Sequence, residues 1–207
     1  MISVINYGRG NLLSVEKGLE RAGFPARIIS TPAEVLQAEA LVLPGVGAFG
    51  EAMELLTRSG LKEAIWQYLQ AGKPFLGICL GLQLLFEASE EWGYAEGLGV
   101  LKGQVKKLPE GLKIPHMGWN QLNFSTSQRP EVQDLRAGIA PDTPFYFVHS
   151  YYVQPEDRQI IAGTVDYGME IPAAVAQDNI WGVQFHPEKS DSAGLKLLKN
   201  FGKRVKR

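Results

Sequence analysis

The chain has 207 residues, is 45% apolar, and balances 21 Lys+Arg against 22 Asp+Glu for a formal net charge of −1. That length and composition predict a single domain over 1–207 with a sizeable core, and the even charge excludes a nucleic-acid binder organised by a basic surface. One cysteine excludes an intrachain disulfide framework and suits a reducing compartment, while the lack of an apolar run of about 18 residues or a signal-like start predicts a cytoplasmic protein with no membrane contact.

Ile2 to Asn6 reads as a short strand entering the glycine-rich turn Tyr7-Gly8-Arg9-Gly10-Asn11. Leu12, Val15, Leu19 and Ala22 then repeat at helical offsets, and Gly23 ends the run. Ala26 to Ile29 is a second strand. Thr31-Pro32-Ala33-Glu34 has the form of a capping box, with Thr31 as N-cap, proline at N1 and glutamate at N3. Ala38 to Leu43 is a third strand, closed by Pro44-Gly45-Val46-Gly47. A helical stretch from Phe49 to Leu69 is interrupted by Gly60 and stopped by Gly72, and Phe75 to Ile78 is a fourth strand. Strands alternating with helices predict an α/β fold, a mostly parallel central sheet with helices on both faces and ligands at the carboxyl ends of the strands.

After Glu91 the rhythm changes. Short runs at 97–107, 113–124, 145–154, 160–165 and 173–176, divided by Gly, Pro, Asn and Asp, predict antiparallel or mixed strands added at the edge of that sheet. Ile180 to Phe185 is one more strand, Ser190 to Phe201 a closing helix, and Lys203-Arg204-Val205-Lys206-Arg207 a solvated basic tail.

The chemistry centres on Gly77-Ile78-Cys79-Leu80-Gly81-Leu82-Gln83. Glycines on both sides of a cysteine, where the strand passes at once into a helix within the stretch that ends at Glu87, form the nucleophile-elbow pattern. Cys79 is the expected nucleophile, favoured as thiolate by the helix start, with the Leu80 amide free to face a developing anion. Such a nucleophile needs an imidazole and a group that orients it. Of three histidines, His186 is best placed. Pro187 holds it extended, so that Glu188 projects on the same side and fixes the tautomer. His149, in Phe147-Val148-His149-Ser150-Tyr151, reads as a pocket wall or a packed core residue, and His116 as part of a compact surface turn. The histidines lack metal-ligand spacing, so no metal and no cofactor is expected. Pro44-Gly45-Val46-Gly47 lies where a second oxyanion donor would come from, the flanking glycines letting that peptide turn. No Gly-Lys-Ser/Thr follows it, which excludes a phosphate loop.

These motifs resemble class I (triad-type) glutamine amidotransferases along the whole chain. Asn6-Tyr7-Gly8-Arg9-Gly10-Asn11, Pro44-Gly45-Val46-Gly47-Ala48-Phe49, Pro115-His116-Met117-Gly118-Trp119-Asn120 and Val148-His149-Ser150-Tyr151 resemble more narrowly the family of glutaminase subunits of imidazole glycerol phosphate synthases. The resemblance implies the flavodoxin-like amidotransferase fold. It implies hydrolysis of L-glutamine through a cysteinyl thioester by Cys79, His186 and Glu188, with Leu80, Val46 and Gly47 around the oxyanion. Gly45, Gln83, Ser150 and Tyr151 would hold glutamine. Ammonia would pass through a (β/α)8 cyclase partner in a heterodimer serving histidine biosynthesis, met by a face that includes Asn11, His116, Met117 and Trp119. It further implies that the Val46–Gly47 peptide is misdirected at rest and turned inward when the partner binds its nucleotide substrate. Two other readings stay open: a stand-alone Cys-His-Glu γ-glutamyl hydrolase or peptidase, and an inactive regulatory binding module, against which the intact trio weighs.

Overall fold

The computed structural model describes residues 1–205; Lys206 and Arg207 of the expected basic tail lie outside the described residues. The first half alternates as its periodicity predicts. β1 (Ile2–Ile5), α1 (Leu12–Arg21), β2 (Ala26–Ile29), α2 (Pro32–Gln37), β3 (Ala40–Gly45), α3 (Phe49–Arg58), α4 (Leu61–Gln70) and β4 (Phe75–Cys79) follow in order. The capping box forms as expected, with Thr31 accepting the Glu34 N–H and the Glu34 carboxylate reaching back to the Thr31 N–H. Gly60 separates α3 from α4 at φ +71°, a conformation that L side chains resist.

The second half contains α5 (Leu80–Gln83), β5 (Ala88–Ser89), β6 (Ala95–Glu96), β7 (Gly103–Lys107), β8 (His116–Phe124), α6 (Pro130–Arg136) and β9 (Thr143–His149). β10 (Tyr151–Pro155), β11 (Ile161–Asp166), β12 (Glu170–Gln177), β13 (Ile180–Val183) and α7 (Asp191–Arg204) complete it. One nine-stranded sheet runs β2-β1-β3-β4-β13-β12-β11-β8-β9. Its half from β2 to β13 is parallel, and from β13 onward every neighbour is antiparallel.

Both faces of the parallel half of this sheet are buried. Val4 and Val42 pack with Val15, Leu197, Leu198 and Phe201 on one side, whereas Ile5, Leu41 and Leu43 pack with Phe49, Leu56, Ile65 and Tyr68 on the other. Alternate residues of one strand therefore serve two cores, as in a helix-covered parallel sheet.

Four expectations are corrected. The added strands do not all extend the first sheet: β10-β7-β5-β6 form a separate four-stranded sheet, because the predicted run 145–154 breaks at Ser150 into strands that join different sheets. Pro44 and Gly45 belong to β3 and pair with Ile78 and Cys79 instead of forming a loop. The helix after the elbow is a single turn. The carbonyls of Leu84, Leu85 and Phe86 accept N–H groups from Leu98, Val100, Leu101 and Gly99, leaving none for further helical bonds. The basic tail begins as the last turn of α7, with Arg204 donating to the Asp178 carbonyl at 2.7 Å and lying 5.1 Å over the Trp181 ring.

Candidate active site

The register of the parallel strands builds the site. Gly45 of β3 faces Cys79 of β4, and Val183 of β13 faces Ile78, so three strand ends meet around one sulfur. Cys79 sits at φ 55°, ψ −111°, an unusual conformation for a residue with a side chain and the strained turn that an elbow requires. The flanking glycines have a steric cause. A Cβ on Gly77 would lie 2.6 Å from the Gly81 carbonyl oxygen, and one on Gly81 would lie 1.8 Å from that of Leu43. With α5 only one turn long, its macrodipole at the sulfur is slight.

His186 is extended, φ −102° and ψ 96°, and its Nδ1 lies 2.8 Å from Glu188 Oε1. Both side chains are almost fully buried. The turn that carries them is clamped by Ser190, whose hydroxyl donates to the His186 carbonyl at 2.6 Å and accepts the Tyr146 N–H at 3.0 Å. Nε2, the other ring nitrogen, is buried and makes no hydrogen bond. Burial alone would lower the His186 pKa. Its interaction with Cys79, and then with Glu188, outweighs that, and the pKa is pushed up to about 10.

A cleft of about 330 Å³, small for a ligand site, opens beside the sulfur. Val46, Gly47, Cys79, Leu80, Gln83, Glu91, Pro115, Val148, His149, Ser150 and Tyr151 line it. Gly47 has φ +100° and nothing within 4 Å of a Cβ position, so the Val46–Gly47 peptide has room to turn. Gly45, expected in the substrate wall, instead lies beneath it. A Cβ there would meet the Tyr7 hydroxyl at 2.5 Å and Leu80 Cβ at 2.9 Å. That hydroxyl is buried without a partner, and burial, with the charge of Cys79 adding to it, pushes the Tyr7 phenol up.

His116 corrects another expectation. It is buried, opens a strand instead of a turn, and presents no surface to a partner. Its ring stacks between Phe147 and Tyr167, at centroid distances of 4.8 and 4.0 Å. Its Nδ1 lies 2.9 Å from His149 Nε2, and His149 Nδ1 lies 2.9 Å from the Tyr151 carbonyl. His149 donates from Nδ1 to that carbonyl, so in the neutral ring Nε2 accepts from His116.

Burial lowers the His149 pKa to about 4. In the unfolded chain this histidine binds a proton near pH 6.5, so stability falls as pH drops from 6.5 to 4 and levels below that, by roughly 3 kcal/mol at most. Replacing His149 with glutamine should flatten that limb in urea unfolding. An unchanged slope between pH 4 and 6.5 would assign the limb to other groups.

Two residues of the site carry no motif in the sequence. Glu91 lines the cleft while its carboxylate accepts the Phe49 N–H at 2.7 Å, anchoring the start of α3 just after Val46-Gly47. Gln184, fully buried, donates from Nε2 to Cys79 Sγ at 3.7 Å and accepts Gln83 Nε2 at 3.0 Å. Of the expected partner face, Asn11 is exposed, and Met117 and Trp119 are 63% and 51% exposed, too open for core positions. Met117 pairs with Val148 of the cleft wall and Trp119 with Tyr146, so β8 carries both exposed side chains next to the strand that borders the cleft.

Residues 3–205 match the family described as class-I glutamine amidotransferase. The chain is 54% identical over 205 residues to the imidazole glycerol phosphate synthase subunit HisH of Desulfitobacterium hafniense strain DSM 10664 / DCB-2, covering 99% of this chain and 95% of that one. It is 50% identical to the same-named subunit of Aquifex aeolicus, covering 99% and 97%. Among solved structures, a glutamine amidotransferase from Thermotoga maritima superposes with a TM-score of 0.70 at 16% identity, covering 100% of this chain and 98% of that one. PurLQS from Thermotoga maritima gives 0.74 at 19%, covering 99% and 96%. At those identities the structures report the fold alone.

Proposed function

The chain belongs to the class I glutamine amidotransferases, and from that premise we propose that it is a glutaminase working as one domain beside a cyclase partner. Cys79 adds to the side-chain amide carbon of L-glutamine, and the carbonyl oxygen takes the charge between the Leu80 amide and the Val46–Gly47 peptide. His186 gives its Nε2 proton to the amide nitrogen, the C–N bond breaks, and ammonia leaves. Water then attacks the thioester while His186 takes its proton, the C–S bond breaks, and glutamate departs. Glu188 holds the imidazole throughout. The observation that carries this reading is the 2.8 Å His186–Glu188 contact with the opposite ring nitrogen left open beside a strained cysteine.

Substrate recognition follows from what the cleft offers. Both N–H groups of the Gln83 amide are occupied, by the carbonyl of Tyr151 and by Gln184, so its oxygen is left for a substrate donor. The Glu91 carboxylate supplies an anion to an α-ammonium group, and the Ser150–Tyr151 backbone a rigid wall.

The partner is a (β/α)8 cyclase that receives the ammonia and uses it to form imidazole glycerol phosphate. Names of the relatives support this assignment. Half-exposed Trp119 and Met117, with exposed Asn11, supply the aromatic and flexible apolar contacts that interfaces favour. A closed route has a chemical reason. Ammonia released to neutral water becomes ammonium, which has no lone pair for attack.

The test is steady-state glutaminase activity of the chain alone and with that cyclase, each with and without the cyclase's nucleotide substrate, for wild type and Gly47→Ala. Low activity alone and a large rise with partner and nucleotide are expected. Gly47→Ala should blunt the rise several-fold, through backbone restriction and not collision, since its Cβ meets nothing. High activity alone, indifferent to the partner, would make the chain a stand-alone hydrolase. An undiminished rise in the variant would remove the peptide from the switching role.

A further inference from the structure

We propose that Gln184 is a positioning residue for the reaction, acting on Cys79 and Gln83 together. This rests on the glutaminase reading of Cys79. Gln184 follows β13 directly, and the parallel pairing of Val183 with Ile78 sets it beside Cys79. Gln184 and His186, two residues apart on the bend that follows β13, both act on the sulfur.

Burying an amide with no access to water is unfavourable unless its groups are bonded, and both ends of this one are used. Nε2 donates to Sγ at 3.7 Å, a charge-assisted bond whenever the sulfur is thiolate. Oε1 accepts Gln83 Nε2 at 3.0 Å. The second contact fixes which way Gln83 faces. With Gln184 Oε1 and the Tyr151 carbonyl both demanding donors, only the Gln83 oxygen remains for the cleft. One side chain thus stabilises the nucleophile's charged form and sets the polarity of the substrate contact.

Other groups also act on the sulfur. His186, backed by Glu188, and Tyr7 lie in its field, His149 faces His186, and Arg9 lies beyond Tyr7. These groups are the same in wild type and in each variant at 184, so the difference between midpoints reports the change at that position.

The experiment is the pH dependence of Cys79 alkylation by iodoacetamide, in the full chain without substrate, for wild type, Gln184→Met and Gln184→Glu. Thiolate reacts and thiol does not, so the midpoint reports the charge balance at the sulfur. Gln184→Met removes the donor and should raise the midpoint by about one pH unit, a tenfold slower alkylation below it. Gln184→Glu keeps the shape and adds a like charge, and should raise it further. Gln83→Ala should leave the midpoint in place while raising the KM for glutamine. A purely structural Gln184 would lower the unfolding temperature and leave the midpoint unmoved, and that result overturns the proposal. If the methionine variant does not fold, the isosteric glutamate variant alone decides. Because no turnover is required, a null result here leaves the glutaminase reading standing, and a wild type without glutaminase activity overturns that reading first.

Discussion

Replacing Cys79 with alanine is expected to lower glutamine hydrolysis by about 10⁴-fold or more, to the background that oxyanion stabilisation and binding provide alone. Its effect on folding should be modest, because the hydrogen bonds of the sulfur to Gln184 and to the Val148 carbonyl are long, 3.7 and 3.9 Å, and its interaction with His186 is the one of consequence. Cys79→Gly extends the test. Any side chain at φ 55°, ψ −111° is strained by about 1–3 kcal/mol, and glycine is not. Glycine also adds about 0.5–1 kcal/mol of chain entropy to the unfolded state. The glycine variant should be equally inactive and yet more stable than the alanine variant, by about 1 kcal/mol in urea unfolding. If alanine were the more stable, the elbow would not be storing strain.

Gly81→Ala should be the most damaging single methyl in the molecule. Its Cβ would lie 1.8 Å from the Leu43 carbonyl oxygen and 2.8 Å from its carbon, and backbone in the middle of a paired strand cannot move aside as a side chain would. α5 must lift off β3, carrying the Leu80 amide out of line with the sulfur. A loss of about 3 kcal/mol or more is expected, at the upper end for overpacking, together with loss of glutaminase activity. Gly72→Ala is the control. It has φ +71° and open space, so it carries backbone strain alone and should cost about 1 kcal/mol. Similar losses for the two would mean that the elbow relaxes and that the glycine spacing has another origin.

What could be read from the sequence was whatever short-range chemistry decides. Thr31, Pro32 and Glu34 make their capping box from atoms within four residues of one another, and the box forms residue for residue. His186 and Glu188 are two apart around a proline that enforces extension, so their contact needed no tertiary information. Long-range pairing hid the rest. Gln184 looks like one more alternating strand residue until β13 lies beside β4, and Glu91 like a surface acid until its loop folds onto the Phe49 N–H. His116 resembles a turn residue because its neighbours are proline and glycine. Only the stacking of Phe147 and Tyr167, distant in sequence, draws it inside. The apolar run Leu84–Phe86 reads as continued helix because composition cannot reveal that residues 98–101 take its carbonyls.

Ser150 is the residue at which the chain leaves the nine-stranded sheet and enters the small one. The wall it forms with Tyr151 is therefore built on two foundations, while Cys79 ends β4 and His186 lies just beyond its neighbour β13 in one sheet. Apart from the Gln83 contact, which Gln184 ties to the sulfur, the substrate wall can therefore shift without moving the nucleophile. Changes to the length or packing of β5, β6 and β7 would tilt the wall and alter which amide fits, leaving the nucleophile and its base in register. Such a partition would let the substrate wall be remodelled through the lesser sheet while the docking face on β8 stays with the larger one.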